Sequence, residues 1–359
     1  MILSKNIQVY VKATDTCNLN CSHCYTSGNK GKKVFFDPTL VSDFLIQMTR
    51  AHNVESTRLL YHGGEPMITP LDKLWQFYEL TKNSIKGVSY GLQTNLVYPL
   101  TEEKIKFFET VVGEVGIGTS WDAKIRFGSV VPGAAQQQLE LWENNVRQLS
   151  SRGFRLTLMV SLSKYLIQNY EPEQIIQYAI DLGFKYILFE RITSDGNAAI
   201  DNHVLPKNIE IDQWILKMYQ QSKQRGFDKQ IGNMFLEEIA LAVNKGLHTA
   251  NRCRGCETKI ITINAEGTLA GCPNSAPNKT WGHLSEGFEK YLNSSERVGA
   301  ICKEKMRNPI CYTCDVSSVC NGDCYKLKWD GDVCSAPKSL MRLLKNDNNE
   351  KEKIKDFFI

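Results

Sequence analysis

The chain has 359 residues, 42% hydrophobic and 23% charged, with a formal net charge of +4. That composition suits a globular protein with one large apolar core and a smaller one, and the scattered basic residues, densest at Lys30, Lys32 and Lys33 beside glycines, read as a solvated loop, so no nucleic-acid partner is expected. No stretch reaches the roughly 18 apolar residues of a membrane span and the first ten residues lack a signal-peptide core, so a cytoplasmic protein with no membrane partner is expected.

In chain order, residues 7–13 read as a strand. Asp37-Pro38 supplies an N-cap and first-turn pair for a helix through residue 52. A short apolar strand at 57–61 ends at Gly63-Gly64, and 71–83 is a helix with Leu74, Phe77 and Tyr78 at helical spacing. Strand 88–92, helix 102–109, strand 115–119, helix 137–151, strand 155–161, helix 172–182 and strand 186–189 follow. Six βα-type repeats predict an α/β fold, a parallel sheet with covering helices. Residues 195–206 are polar and irregular and read as a loop, followed by helices at 210–223 and 233–243. Residues 260–263 and 268–270, joined around Glu266-Gly267, read as a hairpin. A short helix at 286–292 follows, then a cysteine-rich stretch with few regular signals. The charged run 345–355 reads as a frayed helix end.

The twelve cysteines are informative because cytoplasmic thiols stay reduced and are better explained as metal ligands than as disulfides. Cys17, Cys21 and Cys24 stand together; the other nine lie between Cys253 and Cys334, which predicts two metal-binding regions. The first three have the spacing C-x3-C-x2-C in the loop after the first strand, the end of a parallel sheet at which α/β barrels carry their active sites. Three thiolates on a short loop can hold three irons of a 4Fe–4S cube and leave the fourth open, as a catalytic metal requires. A structural zinc site with His23 as fourth ligand is the alternative for this loop alone.

The loop resembles the cluster-binding motif of the radical S-adenosylmethionine (SAM) superfamily, in which the open iron chelates SAM and the reduced cluster cleaves it to methionine and a 5′-deoxyadenosyl radical. Tyr61-His62-Gly63-Gly64-Glu65-Pro66 resembles that family's GGE motif, which implies that Gly63, Gly64 and Glu65 bind the SAM methionine group. Gln93-Thr94-Asn95 resembles its QTNG segment, with Leu96 in place of the glycine, and Ser120-Trp121-Asp122 resembles the segment whose serine contacts the SAM ribose. By resemblance, Gln93, Asn95, Ser120 and Asp122 are further cofactor-binding residues. Each motif ends a predicted strand, and a stable barrel needs none of them.

Cys256-x10-Gly267-x4-Cys272 and Cys311-x2-Cys314-x5-Cys320-x3-Cys324, then Cys334, are similar to the SPASM pattern of that superfamily, with Cys253 as an added member. The resemblance implies a partial (β/α)6 TIM-like barrel over residues 1–235, a cysteine-rich SPASM domain with a β-hairpin and short helices over 236–345, and a tail over 346–359. It implies three 4Fe–4S clusters: one SAM-binding, one auxiliary held by Cys253, Cys256, Cys272 and Cys324, and one held by Cys311, Cys314, Cys320 and Cys334. Cys302 is left over, by default a buried free thiol.

Enzymes of this architecture mostly modify peptides or proteins. The expectation is an oxidoreductase that abstracts hydrogen from a peptide side chain, a maturase of ribosomally made peptides (RiPPs) forming a crosslink or similar oxidative modification. An anaerobic sulfatase-maturating enzyme is weakened as an alternative because Pro273-Asn274 replaces the Asp proposed as that branch's base. A small-molecule dehydrogenase and, in a different class, a zinc-binding interaction protein are the remaining alternatives. Expected partners are the peptide and an electron donor such as flavodoxin or ferredoxin; since the cluster loop comes as early as Cys17, either a separate leader-peptide recognition protein is a further partner or the substrate binds the barrel directly. Tyr25 and His62 are candidate catalytic residues lining the substrate pocket; histidine titrates near neutrality, so His62 is expected to handle a proton.

Overall fold

The computed structural model describes residues 3–127, 133–245, 254–274 and 279–358. Nine strands form one sheet in the order β7-β6-β5-β4-β3-β2-β1-β8-β9. They are β1 Asn6–Thr14, β2 Ser56–Gly63, β3 Val88–Gln93, β4 Ile117–Ser120, β5 Leu156–Ser161, β6 Tyr186–Glu190, β7 Gly232–Asn233, β8 Ile260–Ile263 and β9 Leu269–Ala270. All neighbours run parallel except β8 and β9, which form the expected hairpin. The six expected βα repeats are present. The two-residue β7 and the parallel pairing of β8 on β1 were not expected. β8 and β9 come from the cysteine-rich part, so the sheet runs across the expected boundary at residue 235.

The two faces of the sheet differ sharply in chemistry. One face carries Val9, Val11, Leu59, Tyr61, Leu92, Leu156, Leu158, Val160, Ile187 and Phe189, all buried. Covering helices meet this face: Tyr61 Oη donates to Leu74 O (3.1 Å) and Trp142 Nε1 to Thr119 Oγ1 (2.9 Å). Each such aliphatic side chain contributes about 1.5–3 kcal/mol by leaving water. The alternate residues, Gln8, Tyr10, Lys12, His62, Gln93, Ser120, Thr157, Ser161 and Glu190, share the other face. Except for Lys12 and His62 they are only half-buried. A closed barrel fills its interior with layers of Val, Ile and Leu; here the sheet is an open arc whose concave face is polar.

The helix Pro38–Ala51 is capped as the sequence predicts, with the Asp37 carboxylate accepting from Thr39 N and Leu40 N. The helix Glu102–Phe107 runs into a π-helical turn at Phe108–Val112. Residues 195–206 are not simply a loop: they contain a helical turn, Asn197–Ile200. Two helices in the cysteine-rich part, Ser295–Lys305 and Lys338–Asn346, were not read from the sequence; Ser294 caps the first by accepting from Arg297 N (3.3 Å).

Two expectations are corrected. The C-terminal run is docked, not frayed: Ile354 and Phe357 enter the core, and Tyr219 Oη donates to Glu350 Oε2 at 2.7 Å. Apolar anchoring outweighs the charges around it. Cys302 is exposed, because its helix turns that position to solvent.

Candidate active site

Cys17, Cys21 and Cys24 lie in the loop leaving β1 at the C-terminal edge of the sheet. Their loop is held from four directions. Asn95 Nδ2 donates to Asn18 Oδ1 (2.7 Å), and Asn18 Nδ2 donates to Val97 O (2.7 Å). Asn197 Nδ2 donates to Cys21 O and its backbone N–H to Cys24 O, both at 2.8 Å. Gly28 O accepts from Cys17 N (3.0 Å). His23 Nε2 lies 3.4 Å from the Asp122 carboxylate, so that ring nitrogen is already engaged. Burial pushes the Cys17 thiol up to about 11 and the Cys21 thiol to about 12, and the thiols feel one another's charge. Three soft donors on one braced loop, Cys21 buried and Cys17 and Cys24 half-buried, suit a highly charged metal centre, which together with Arg126 would favour thiolate forms here.

The Gly63-Gly64-Glu65 segment is where the structure is most instructive. The close approach that these glycines permit is to the chain's own backbone: a Cβ on Gly64 would come within 2.1 Å of Thr16 O, and one on Gly63 (φ +141°) within 2.3 Å of Thr14 O. Gly64 N and Glu65 N donate to Thr14 O and Thr16 O, both at 2.9 Å, and so carry the β1–β2 pairing into the cysteine loop. The Glu65 carboxylate is wholly buried and accepts from Met67 N (2.9 Å), Thr94 Oγ1 (2.7 Å) and Asn95 N (2.7 Å). Burial pushes its pKa up to about 7 in spite of these bonds. Glu65 thus ties the end of β2 to the end of β3, whatever further ligand it meets. Replacing it by Gln turns an amide NH2 toward N–H and O–H donors. Glu65→Gln is expected to lower stability by about 1.5–3 kcal/mol. A denaturant midpoint equal to wild type would show that the brace is not carried by the charge.

Leu96, where the resembling segment has glycine, adopts φ 52° with its side chain fully buried. The left-handed geometry that favours glycine is kept, and the cost of a side chain there is offset by its burial. Gln93 Nε2 contacts Met159 Sδ (2.7 Å) and Asn95 braces Asn18, so both are engaged within the chain. Asp122 is wholly buried. Burial opposes its charge, yet Arg126 (2.7 Å) and His23 hold the carboxyl well below its usual range. It also accepts from Ser161 N, so Asp122 positions the cysteine loop and β5. Ser120, on the concave face at the end of β4, makes no side-chain hydrogen bond among the described residues.

Tyr25 and His62 come together as expected, Tyr25 Oη lying 3.4 Å from His62 Nε2 with the rings stacked. The expected titration of His62 near neutrality does not hold. Burial, then the neighbouring Lys12, pushes its pKa down to about 3, so the imidazole is neutral. Burial likewise raises the Tyr25 phenol well above its usual value.

In the cysteine-rich part, Cys311, Cys314, Cys320 and Cys334 line one cavity of about 260 Å³ with Trp329 and Lys338. The Cys320 thiol is pushed by burial to about 12. Four soft donors around one cavity fit a fully ligated cluster. Cys256, Cys272 and Cys324 all lie within electrostatic reach of Lys326; Cys253 lies outside the described residues. Glu257, buried between them, accepts from Tyr325 Oη and lies 3.6 Å from Lys326 Nζ. Arg254 ties the C-terminal end of the helix Ser295–Lys305 to the turn at Gly322 by donating to Glu304 O (2.6 Å), Met306 O (3.0 Å) and Gly322 O (2.6 Å). A wider cleft of about 810 Å³, lined in part by Gly271, Trp281, Tyr325 and Lys326, opens beside Cys272.

No protein-family profile matches the sequence. The chain is 23% identical over 210 residues to the S-adenosylmethionine-dependent nucleotide dehydratase of Fibrobacter sp. (strain UWH6), a match that covers 55% of this chain and 59% of that protein. Among solved structures, anSMEcpe with bound AdoMet superposes with a TM-score of 0.72 at 14% identity, covering 98% of both chains. Native anSMEcpe with bound AdoMet and the Cp18Cys peptide gives 0.69 at 14% identity, over 97% of this chain and 96% of that one. Streptococcus suis SuiB bound to its precursor peptide SuiA gives 0.61 at 13% identity, over 92% and 76%. From the parallel sheet through the cysteine-rich C-terminal part, the chain has the fold of the radical SAM/SPASM enzymes.

Proposed function

We propose that the protein is a radical SAM enzyme that abstracts hydrogen from a peptide side chain and forms a crosslink or a related oxidative modification. The observation that carries this is the placement of two thiol sets: three thiols at the end of β1, over a polar concave face, and four around one cavity in the cysteine-rich part. When bound, three 4Fe–4S clusters supply reductive SAM cleavage at the first set and one-electron relay at the auxiliary sets, Cys253, Cys256, Cys272 and Cys324 holding one and Cys311, Cys314, Cys320 and Cys334 the other.

The chain's residues do the positioning. Asn18, Asn95 and Asn197 fix the loop, Glu65 locks the ends of β2 and β3, and the free Ser120 hydroxyl is available to the SAM ribose. Tyr25 and neutral His62 wall the substrate side and donate or accept hydrogen bonds without taking charge. The cleft of about 810 Å³ beside Cys272 has room for a short stretch of peptide. Both anSMEcpe and SuiB hold peptides in their structures. A flavodoxin- or ferredoxin-type donor supplies the electrons. Among the described residues no helix is long and apolar enough to cross a membrane.

Mass spectrometry tests the reading. With dithionite, SAM and the cognate peptide, 5′-deoxyadenosine is expected together with a product about 2 Da lighter per crosslink, since two hydrogens leave, one as an atom and one as a proton plus an electron. A new aldehyde at a cysteine, trapped by a hydrazine, would instead mean formylglycine formation.

A further inference from the structure

Lys12 is a buried ammonium that none of the roles above uses. It lies on the concave face of β1, in register with His62 on β2, and only 3% of it is exposed. Among the described residues it donates no hydrogen bond and has no carboxylate oxygen within 4 Å. The Tyr25 ring centroid is 5.8 Å from its Nζ. Asp15 and Cys24 reach it only through their fields, and Glu190, at the end of β6 on the same face, acts electrostatically on the neighbouring Tyr10 and Tyr25. Burial lowers its pKa to about 8, so it remains largely charged at neutral pH. Removing an ammonium from water without a partner costs several kcal/mol, and methionine would fill the same space without that cost.

A second polar group is left open beside it. His62 Nδ1 is buried and has no hydrogen-bond partner, although the Gln93 amide lies near the ring. A neutral imidazole can offer an N–H there, next to the ammonium. One cation, one neutral donor and a nearby Glu190 suit a singly charged acceptor better than a doubly charged phosphate.

We propose that Lys12, with His62 beside it, anchors a carboxylate of the peptide substrate on the concave face of the sheet, so that the enzyme selects peptides with an acidic side chain or free C-terminus near the residue it modifies. This deepens the peptide-modifying reading and rests on it. SAM also carries a carboxylate, and the test separates the two.

The probes are the blocked tripeptides acetyl-Gly-Glu-Gly-amide and acetyl-Gly-Gln-Gly-amide, titrated by calorimetry into the reconstituted, SAM-loaded protein at low salt. The Glu probe is expected to bind about tenfold more tightly than the Gln probe, as a charge-assisted hydrogen bond gives. Lys12→Met is expected to abolish that preference and Lys12→Arg to keep part of it. Equal binding of the two probes by wild type, no binding of the Glu probe, or an undiminished preference in Lys12→Met overturns the proposal. So does a tenfold loss of SAM affinity in Lys12→Met, which would assign the ammonium to SAM's own carboxylate. Should Lys12→Met not fold, the wild-type comparison and Lys12→Arg still decide. Absence of 5′-deoxyadenosine from wild type with dithionite would sink the radical reading and leave the Glu-against-Gln result standing by itself.

Discussion

Changing Cys17, Cys21 and Cys24 together to alanine is expected to remove about a third of the iron and sulfide from the reconstituted protein and all of its SAM cleavage. The three thiols sit on one loop that is braced by Asn18, Asn95 and Asn197 and by the β1–β2 backbone pairing; the sulfurs themselves add only long contacts, such as those from Leu19 N (3.4 Å) and Asn95 Nδ2 (3.7 Å) to Cys17 Sγ and between Cys24 Sγ and Thr26 Oγ1 (3.4 Å). The triple change should therefore leave the fold and the distant thiol sets in place, and its effect should fall on one centre. Iron and sulfide assays alongside chromatography of 5′-deoxyadenosine make the comparison. Unchanged iron in the variant, or wild-type protein that returns tightly bound zinc, would dismiss the cluster assignment.

The second large effect is expected at Arg191. Its guanidinium, just beyond β6, makes a buried two-pronged ion pair with Asp323, including Nη2 to Oδ1 at 2.9 Å, and also donates to Ser335 O (2.9 Å). Ser335 Oγ donates to the same Asp323 carboxylate (3.0 Å). Asp323 lies between Cys320 and Cys324, and Ser335 follows Cys334, so this cluster of bonds seats the cysteine-rich part on the sheet. Arg191→Ala leaves Asp323 charged, buried and without its main partner, which costs about 3–5 kcal/mol. The denaturant midpoint should fall accordingly, and iron bound by the Cys311–Cys334 set should fall with it. The double change Arg191→Met with Asp323→Leu should recover much of the stability, because apolar side chains of similar size need no partner. A single mutant as stable as wild type would show that the two parts are held by their apolar contacts alone.

What the sequence reveals and what it hides follow from the range of the interactions involved. The strands β1 to β6 and the helix Pro38–Ala51 are legible because alternation, apolar runs and an Asp-Pro cap are local signals. The thiols are legible because their spacing is local too. Lys12 is not, because it stands between Val11 and Ala13 in a strand and its cross-strand neighbour His62 lies fifty residues away. Asn197 is equally hidden: nothing near it announces a bond to Cys21, 176 residues earlier. Glu65 and Asp122 are noticed as motif members, but their full sets of hydrogen-bond partners appear only once β2, β3, β4 and β5 are side by side. At the C-terminus the lysines and glutamates conceal Ile354 and Phe357, whose pockets belong to other helices.

The pairing of β8 with β1 also sets a timetable for synthesis. Residues 260–263 leave the ribosome some two hundred and fifty residues after the strand that they will cover. Until then β1 is an edge: its outer row of N–H and C=O groups, from Gln8 to Val11, is open to any other extended chain. Of the six strands β1 to β6, the one that carries the cysteine loop is thus the last to gain its second neighbour. A nascent chain released before residue 260 is expected to self-associate through that edge, and hydrogen exchange at the β1 amides of such a fragment would reveal it.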